Sequence, residues 1–163
     1  MATTKRQVFY SFCFDDDVMR VQQIRQMGLV DGDEPVSPNE WERLRRASGG
    51  IKKWIDDNMA YRSCVIVLVG RNTAGRQWVK YEIEKAWNDD KGLFGIYIHN
   101  LKCPRTGTSI AGANPFDQFT FKESGRKLSS VVNCYNPGAA TAYANIKASL
   151  AGWVEAAIAA RKA

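Results

Sequence analysis

Ser63-Cys64-Val65-Ile66-Val67-Leu68-Val69-Gly70 is apolar at every position from Cys64 to Val69. Trp78-Val79-Lys80-Tyr81-Glu82-Ile83 follows it across a basic polar loop, residues 71–77. A strand with no polar face is covered on both sides, which is the habit of a parallel sheet. Open α/β sheets bind ligands beyond the carboxyl ends of their strands. The helix that opens at Trp78 therefore brings its first turns to the place where a site forms, and Glu82 is the carboxylate there. If one residue does chemistry, it is Glu82.

The same alternation extends in both directions. Val8-Phe9-Tyr10-Ser11-Phe12 reads as a first strand, rich in aromatic and β-branched residues. Asp15-Asp16-Asp17 then starts an amphipathic helix reaching about Met27, where three acids suit the positive end of the helix dipole. Residues 28–35 are turn-like, with room for a short strand at most. Ser37-Pro38-Asn39-Glu40 has the form of a capping box with proline at the first helical position. Ile51, Trp54, Ile55, Asn58 and Met59 carry the spacing of a helix lying on a sheet. Leu93-Phe94-Gly95-Ile96-Tyr97-Ile98 is another buried strand. Residues 100–127 form a long polar loop, Val131-Val132-Asn133-Cys134-Tyr135 a last strand, and residues 139–162 an Ala-rich helix. This order predicts a flavodoxin-like, doubly wound parallel sheet with helices on both faces.

The chain has 163 residues, 45% hydrophobic and 25% charged, the size and make-up of one ordinary globular domain spanning 1–163. No apolar run approaches the ~20 residues that cross a bilayer, and no signal-like segment precedes the first strand. A cytoplasmic protein without a membrane partner is expected. Cys13, Cys64, Cys103 and Cys134 form no CxxC pair, and His99 is the only histidine, so no metal site is expected. The net charge of +6 is concentrated: residues 43–85 hold ten basic side chains against four acids. That stretch could attract a polyanion or a compact phosphorylated ligand, or could be solvated helix surface.

Projected at 100° per residue, the helix from Trp78 turns Val79, Ile83, Ala86 and Trp87 to the sheet and Lys80, Tyr81, Glu84 and Asn88 to water. Glu82 falls on the shoulder, in one row with Trp78 and Ala86. A carboxylate at a cleft rim beside an indole suits holding a sugar hydroxyl or a developing cation. Periodicity alone favours a plainer role, an ion pair with Lys85 or a loop arginine. The inventory narrows the reaction further. A Ser-His-Asp set would have to be assembled around His99 alone, and neither GxxxxGK[ST] nor GxGxxG is present. Any chemistry is positioning plus one carboxylate. Cleavage of a nicotinamide–ribose bond is such a reaction, because the pyridinium departs neutral and needs no general acid. Ordinary glycosidases need two carboxylates.

These segments resemble the TIR domain family, in particular the bacterial branch found in Thoeris anti-phage defence. Val8-Phe9-Tyr10-Ser11-Phe12 is similar to the family's first-strand motif, (V/I)F(I/L/F)S(Y/F). Trp78 to Glu82 matches the W-x-x-x-E pattern of its active members, and Asn114-Pro115-Phe116-Asp117 resembles an NPFD segment. The resemblance implies that Glu82 is the catalytic glutamate of an NAD-cleaving enzyme and Trp78 an assisting residue. It places Phe12, Cys13 and Phe14 along a nucleotide pocket and Asn114 at a substrate contact, unless Asn114 only orders the turn before Pro115. Arg46 or Arg71 could meet the pyrophosphate on electrostatic grounds. NAD enters as substrate, with no resident cofactor. The product, ADP-ribose or a cyclic isomer, would activate a separate effector protein, and the chain would self-associate through TIR–TIR contacts. The animal second-strand and BB-loop region has no match in residues 28–48. A non-catalytic adaptor acting by assembly ranks second, and a nucleic-acid binder third.

Overall fold

The computed structural model describes residues 5–33 and 37–162. Among these residues, four parallel strands form one sheet in the order β1 (Val8–Ser11), β2 (Cys64–Val69), β3 (Gly92–Tyr97) and β4 (Cys134–Tyr135). Five α-helices of the described residues cover it: α1 (Phe14–Gln26), α2 (Pro38–Arg46), α3 (Gly50–Met59), α4 (Gln77–Asn88) and α5 (Ala142–Lys162). This is the flavodoxin-like α/β architecture of TIR-like domains.

Strand alternation builds the two layers. Cys64, Ile66 and Leu68 of β2 join Val8 and Tyr10 of β1 and the inner faces of α1 and α5 in one core. Val65, Val67 and Val69 join Phe9 and residues of α3 and α4, including Ile55, Val79 and Ile83, in the other. Every residue of β2 is fully buried. The helix ends follow local chemistry: Ser37 caps α2, its hydroxyl accepting from the Glu40 amide at 3.2 Å. Gly49 takes a left-handed conformation, φ 69°, in the short link between α2 and α3.

Of the segment 28–35, residues 34 and 35 lie outside the described residues; among the described ones a second strand survives only as the bridge between Gln7 and Asp31, on the side of β1 away from β2. Asp31 accepts from the Val8 amide at 2.9 Å, and two residues on a side chain replaces backbone: the Tyr10 amide donates to Asp33 Oδ1 at 2.9 Å. The winding of the sheet therefore reverses at β1, and a crevice opens at its carboxyl end. The predicted last strand shrinks as well. Leu128–Ser130 forms a 3-10 turn, Val131 is exposed, and only Cys134 and Tyr135 pair with β3.

The acidic triplet lies in the first turn of α1, but its side chains diverge rather than cap. Asp15 meets Arg45 at 3.0 Å, and Asp16 accepts from Asn72 at 2.7 Å. Asp17 is buried with Arg20 at 3.3 Å. The basic stretch is also largely occupied. Lys52 and Lys53 pair with Asp56 and Asp57, and Lys85 with Asp89. Arg62 is buried, donating to the Val8 carbonyl. No helix among the described residues is long and apolar enough to cross a membrane.

Candidate functional site

At the carboxyl end of β1 lies a cleft of about 390 Å³, lined by residues from β1, α1, α2, α3 and α4. Its floor is polar. Ser11, the last residue of β1, is fully buried on the α4 side, and its hydroxyl donates to Glu82 Oε1 at 2.6 Å. Glu82 is only 6% exposed. The helical projection put it on the shoulder of α4; it belongs to the buried set with Val79, Ile83 and Ala86. What admits a carboxylate there is the serine of the neighbouring strand, which a single-helix projection does not contain.

The ion pair expected from periodicity is absent among the described residues. Lys85 turns instead to Asp89 at 3.1 Å and Asp56 at 4.0 Å. Burial pushes the Glu82 carboxyl well above the ordinary carboxylate range; the Ser11 hydrogen bond opposes this, and the nearby charge of Asp33 adds to it. A buried acid held by one hydroxyl, with no counter-ion, and open to a cleft is poised to meet a positive charge.

The walls are aromatic. Phe14 stacks on Trp41 with centroids 5.4 Å apart and planes 22° from parallel, and Trp41 meets Trp54 edge-on at 6.2 Å. Phe12 lies 6.4 Å from Phe14. Trp78 also lines the cleft, with its indole edge to Tyr81 at 5.9 Å. Cys13, 3% exposed, completes this edge, and burial raises its thiol pKa. Cationic groups come from three elements: Arg25 of α1, Arg45 of α2 and Arg76, which caps α4. Arg45 lies over the Trp41 ring at 5.8 Å.

Of the residues singled out in the sequence, Phe12, Cys13, Phe14, Trp78 and Glu82 converge on this cleft. Arg46, Arg71 and Asn114 do not line it. Arg46 ends α2 one helical position beyond Arg45, about 100° around the axis, and is exposed. Arg71 is exposed in the loop after β2. Asn114 has the plainer of its two roles, with Oδ1 accepting from the Phe116 amide at 2.9 Å to order the turn at Pro115. Sequence reasoning missed Asp33, Arg25, Trp41, Arg45, Trp54 and Arg76. For Trp41 a signal existed, an indole one turn into a capped helix. For Asp33 there was none, because it lies in a segment read only as turn-like. Among the described residues no group of three His, Cys, Asp or Glu side chains could hold a metal ion.

A family model described as the TIR-like domain of Thoeris protein ThsB matches residues 9–103, more than half of the chain and every residue that lines the cleft. The chain belongs to this family. It is similar to a protein of Bacillus cereus (strain MSX-D12) named "Putative cyclic ADP-D-ribose synthase ThsB1". The two are 28% identical over 131 residues, which cover 76% of this chain and 68% of the relative. Ser11, Asp33 and Glu82 all fall inside the span matched by the family model, whereas Asn114 falls outside it.

Proposed function

We propose that this chain cleaves NAD, releasing nicotinamide and passing the ADP-ribosyl group to a hydroxyl, with a cyclic ADP-ribose isomer or ADP-ribose as product. The observation that carries the reading is Glu82, a buried carboxylate without a counter-ion among the described residues, facing an aromatic-walled cleft at the switch point of the sheet. The similarity to a protein named as a cyclic ADP-D-ribose synthase supports the same reaction class.

The chemistry follows from the site. The nicotinamide ring of NAD is a pyridinium, and its positive charge beside Glu82 favours the ionised carboxylate that burial disfavours. As the glycosidic bond lengthens, charge moves from the ring to the ribose. A fixed carboxylate stabilises that oxocarbenium-like state more than it stabilises the ground state. Ser11 holds Glu82 in place and compensates its charge in part. Arg45 and Arg76, rather than Arg46 and Arg71, meet the pyrophosphate at the mouth, and the Phe14–Trp41 wall borders the flat bases. NAD is the substrate, and the reaction uses no resident cofactor. The protein acts in the cytoplasm, self-associates, and signals through its product to a separate effector in defence against phage.

Mass spectrometry of nucleotides tests this, in cells expressing wild type or Glu82→Gln, with and without phage infection. Nicotinamide and an ADP-ribose product that appear with wild type and vanish with Glu82→Gln are expected. Equal phage protection by the two proteins, with no change in NAD, would make the chain an adaptor acting by assembly.

A further inference from the structure

Loss of nicotinamide needs no acid, but capture of the ribosyl cation by a hydroxyl releases a proton that needs an acceptor. Glu82 is engaged with the cation. One other buried carboxylate borders the cleft, Asp33, 2% exposed. Gly32 lets the chain come this near: a Cβ there would strike the Tyr10 ring. Asp33 Oδ1 accepts from the Tyr10 amide at 2.9 Å, and Oδ2 stands 3.8 Å from Arg25 Nη2. Arg25 also donates to the Asp33 carbonyl and lies over the Tyr10 ring at 5.0 Å. The Asp33 backbone amide also bonds its carboxyl and the charge of Arg62 lies near, so among the described residues the carboxyl is fixed without a close ion pair.

From this geometry we infer that Asp33 is the general base of the transfer step, taking the proton of the hydroxyl that attacks the ribosyl carbon. The inference rests on the NAD-cleaving reading and extends it to a second residue. The C1′–nitrogen bond breaks and its electron pair leaves with neutral nicotinamide. A lone pair of the incoming oxygen forms the C1′–O bond, and the hydroxyl proton moves to the Asp33 carboxylate and later to solvent. Two features favour this over a purely structural role. An asparagine would accept the Tyr10 amide equally well without burying a charge. Burial also raises the Asp33 carboxyl, against the pull of Arg25, which makes it a stronger proton acceptor.

A competition between nucleophiles tests it. A hydroxyl, whether of water or of the ADP-ribosyl group, loses a proton on attack; 3-acetylpyridine attacks through its ring nitrogen and loses none. Wild type, Asp33→Asn and Asp33→Glu are assayed with NAD and 3-acetylpyridine in lysate of phage-infected cells, with nicotinamide release and all ribosyl products quantified together. The expected result for Asp33→Asn is nicotinamide release within about threefold of wild type, and a ratio of pyridine-captured to hydroxyl-captured product at least about tenfold higher. Asp33→Glu should move that ratio back towards wild type. A ratio within about twofold of wild type in Asp33→Asn overturns the inference. So does nicotinamide release that falls in step with hydroxyl capture, which marks a binding role. An Asp33→Asn protein that does not fold overturns it too, since an amide is held to satisfy the Tyr10 bond. Absence of nicotinamide release from wild type removes the NAD-cleaving reading itself, a distinct result.

Discussion

The two ends of the sheet carry cavities of opposite character. At the amino end, Lys5, Arg6, Tyr61, Val154 and Glu155 help to line a space of about 750 Å³, nearly twice the 390 Å³ of the carboxyl-end cleft. Each end holds a glutamate in a short hydrogen bond. Glu155 receives two bonds from Arg6, at 2.7 and 3.0 Å, and both side chains are about half exposed. Arg6 holds its carboxyl below the ordinary value, whereas burial pushes Glu82 well above it. The glutamate of the larger cavity is therefore neutralised and wet, and that of the smaller is dry and, among the described residues, without an ion pair. Volume does not single out the candidate site; the unmet charge does.

The sharpest way to break this contrast is to neutralise both acids. Glu82→Gln keeps the shape and the Ser11 hydrogen bond but removes the charge. It is expected to lower nicotinamide release by at least about 100-fold, the usual scale for losing a preorganised electrostatic group. Glu155→Gln should stay within about twofold of wild type in the same assay. Comparable losses in both would show that the carboxyl-end cleft has no special standing.

Next in size come the arginines. Arg45→Ala and Arg76→Ala, each removing a cation that lines the cleft, should raise KM for NAD by about tenfold with a smaller change in kcat. Arg46→Ala and Arg71→Ala should move neither constant by more than about twofold. Steady-state kinetics on the four variants decides between neighbours separated by one helical step in one case and a loop in the other. A KM effect in the second pair alone would place the pyrophosphate outside the cleft.

Those pairs also mark where the sequence could and could not be read. β2 and β3 were legible because a strand covered on both faces is apolar throughout, and α4 because its stripe repeats at helical spacing. Phe12, Cys13 and Phe14, which line the cleft, were singled out only through the family resemblance of the strand before them. The depth of Glu82 was not, since it depends on a hydroxyl 71 residues away in the chain. Arg45 and Arg46 differ only in helical phase, which a short polar helix leaves undefined. Asp33 lies where a strand would otherwise run, so the absence of strand pattern hid it. β4 shrank to two residues because Val131, apolar in sequence, turned to solvent after a 3-10 turn.

Stability against pH separates the two glutamates by sign. The folded pKa of Glu82 lies above its ordinary value of 4.5, so between those values the folded protein binds more protons than the unfolded chain. Its contribution therefore falls as pH rises from 4.5 through the raised pKa, and then levels. Glu82→Gln, which carries no such charge, should melt close to wild type at pH 4.5. It should melt progressively higher than wild type in thermal melts as pH climbs above that value, until the raised pKa is passed. A gap that does not grow with pH would mean that Glu82 is not buried as an unmatched acid.

Glu155 predicts the reverse and a smaller signal. Its folded pKa is lowered, so its contribution is present above the ordinary value and fades as pH falls through the lowered one. Water and salt screen an exposed pair, whose net worth is commonly close to zero. Arg6→Gln should accordingly shift the melting temperature at neutral pH by no more than about 1 °C, and less still in high salt. A larger, salt-resistant loss would mean that the amino-end cavity also holds a charge on which the fold depends. The opposition between the two ends of the sheet would then no longer single out Glu82.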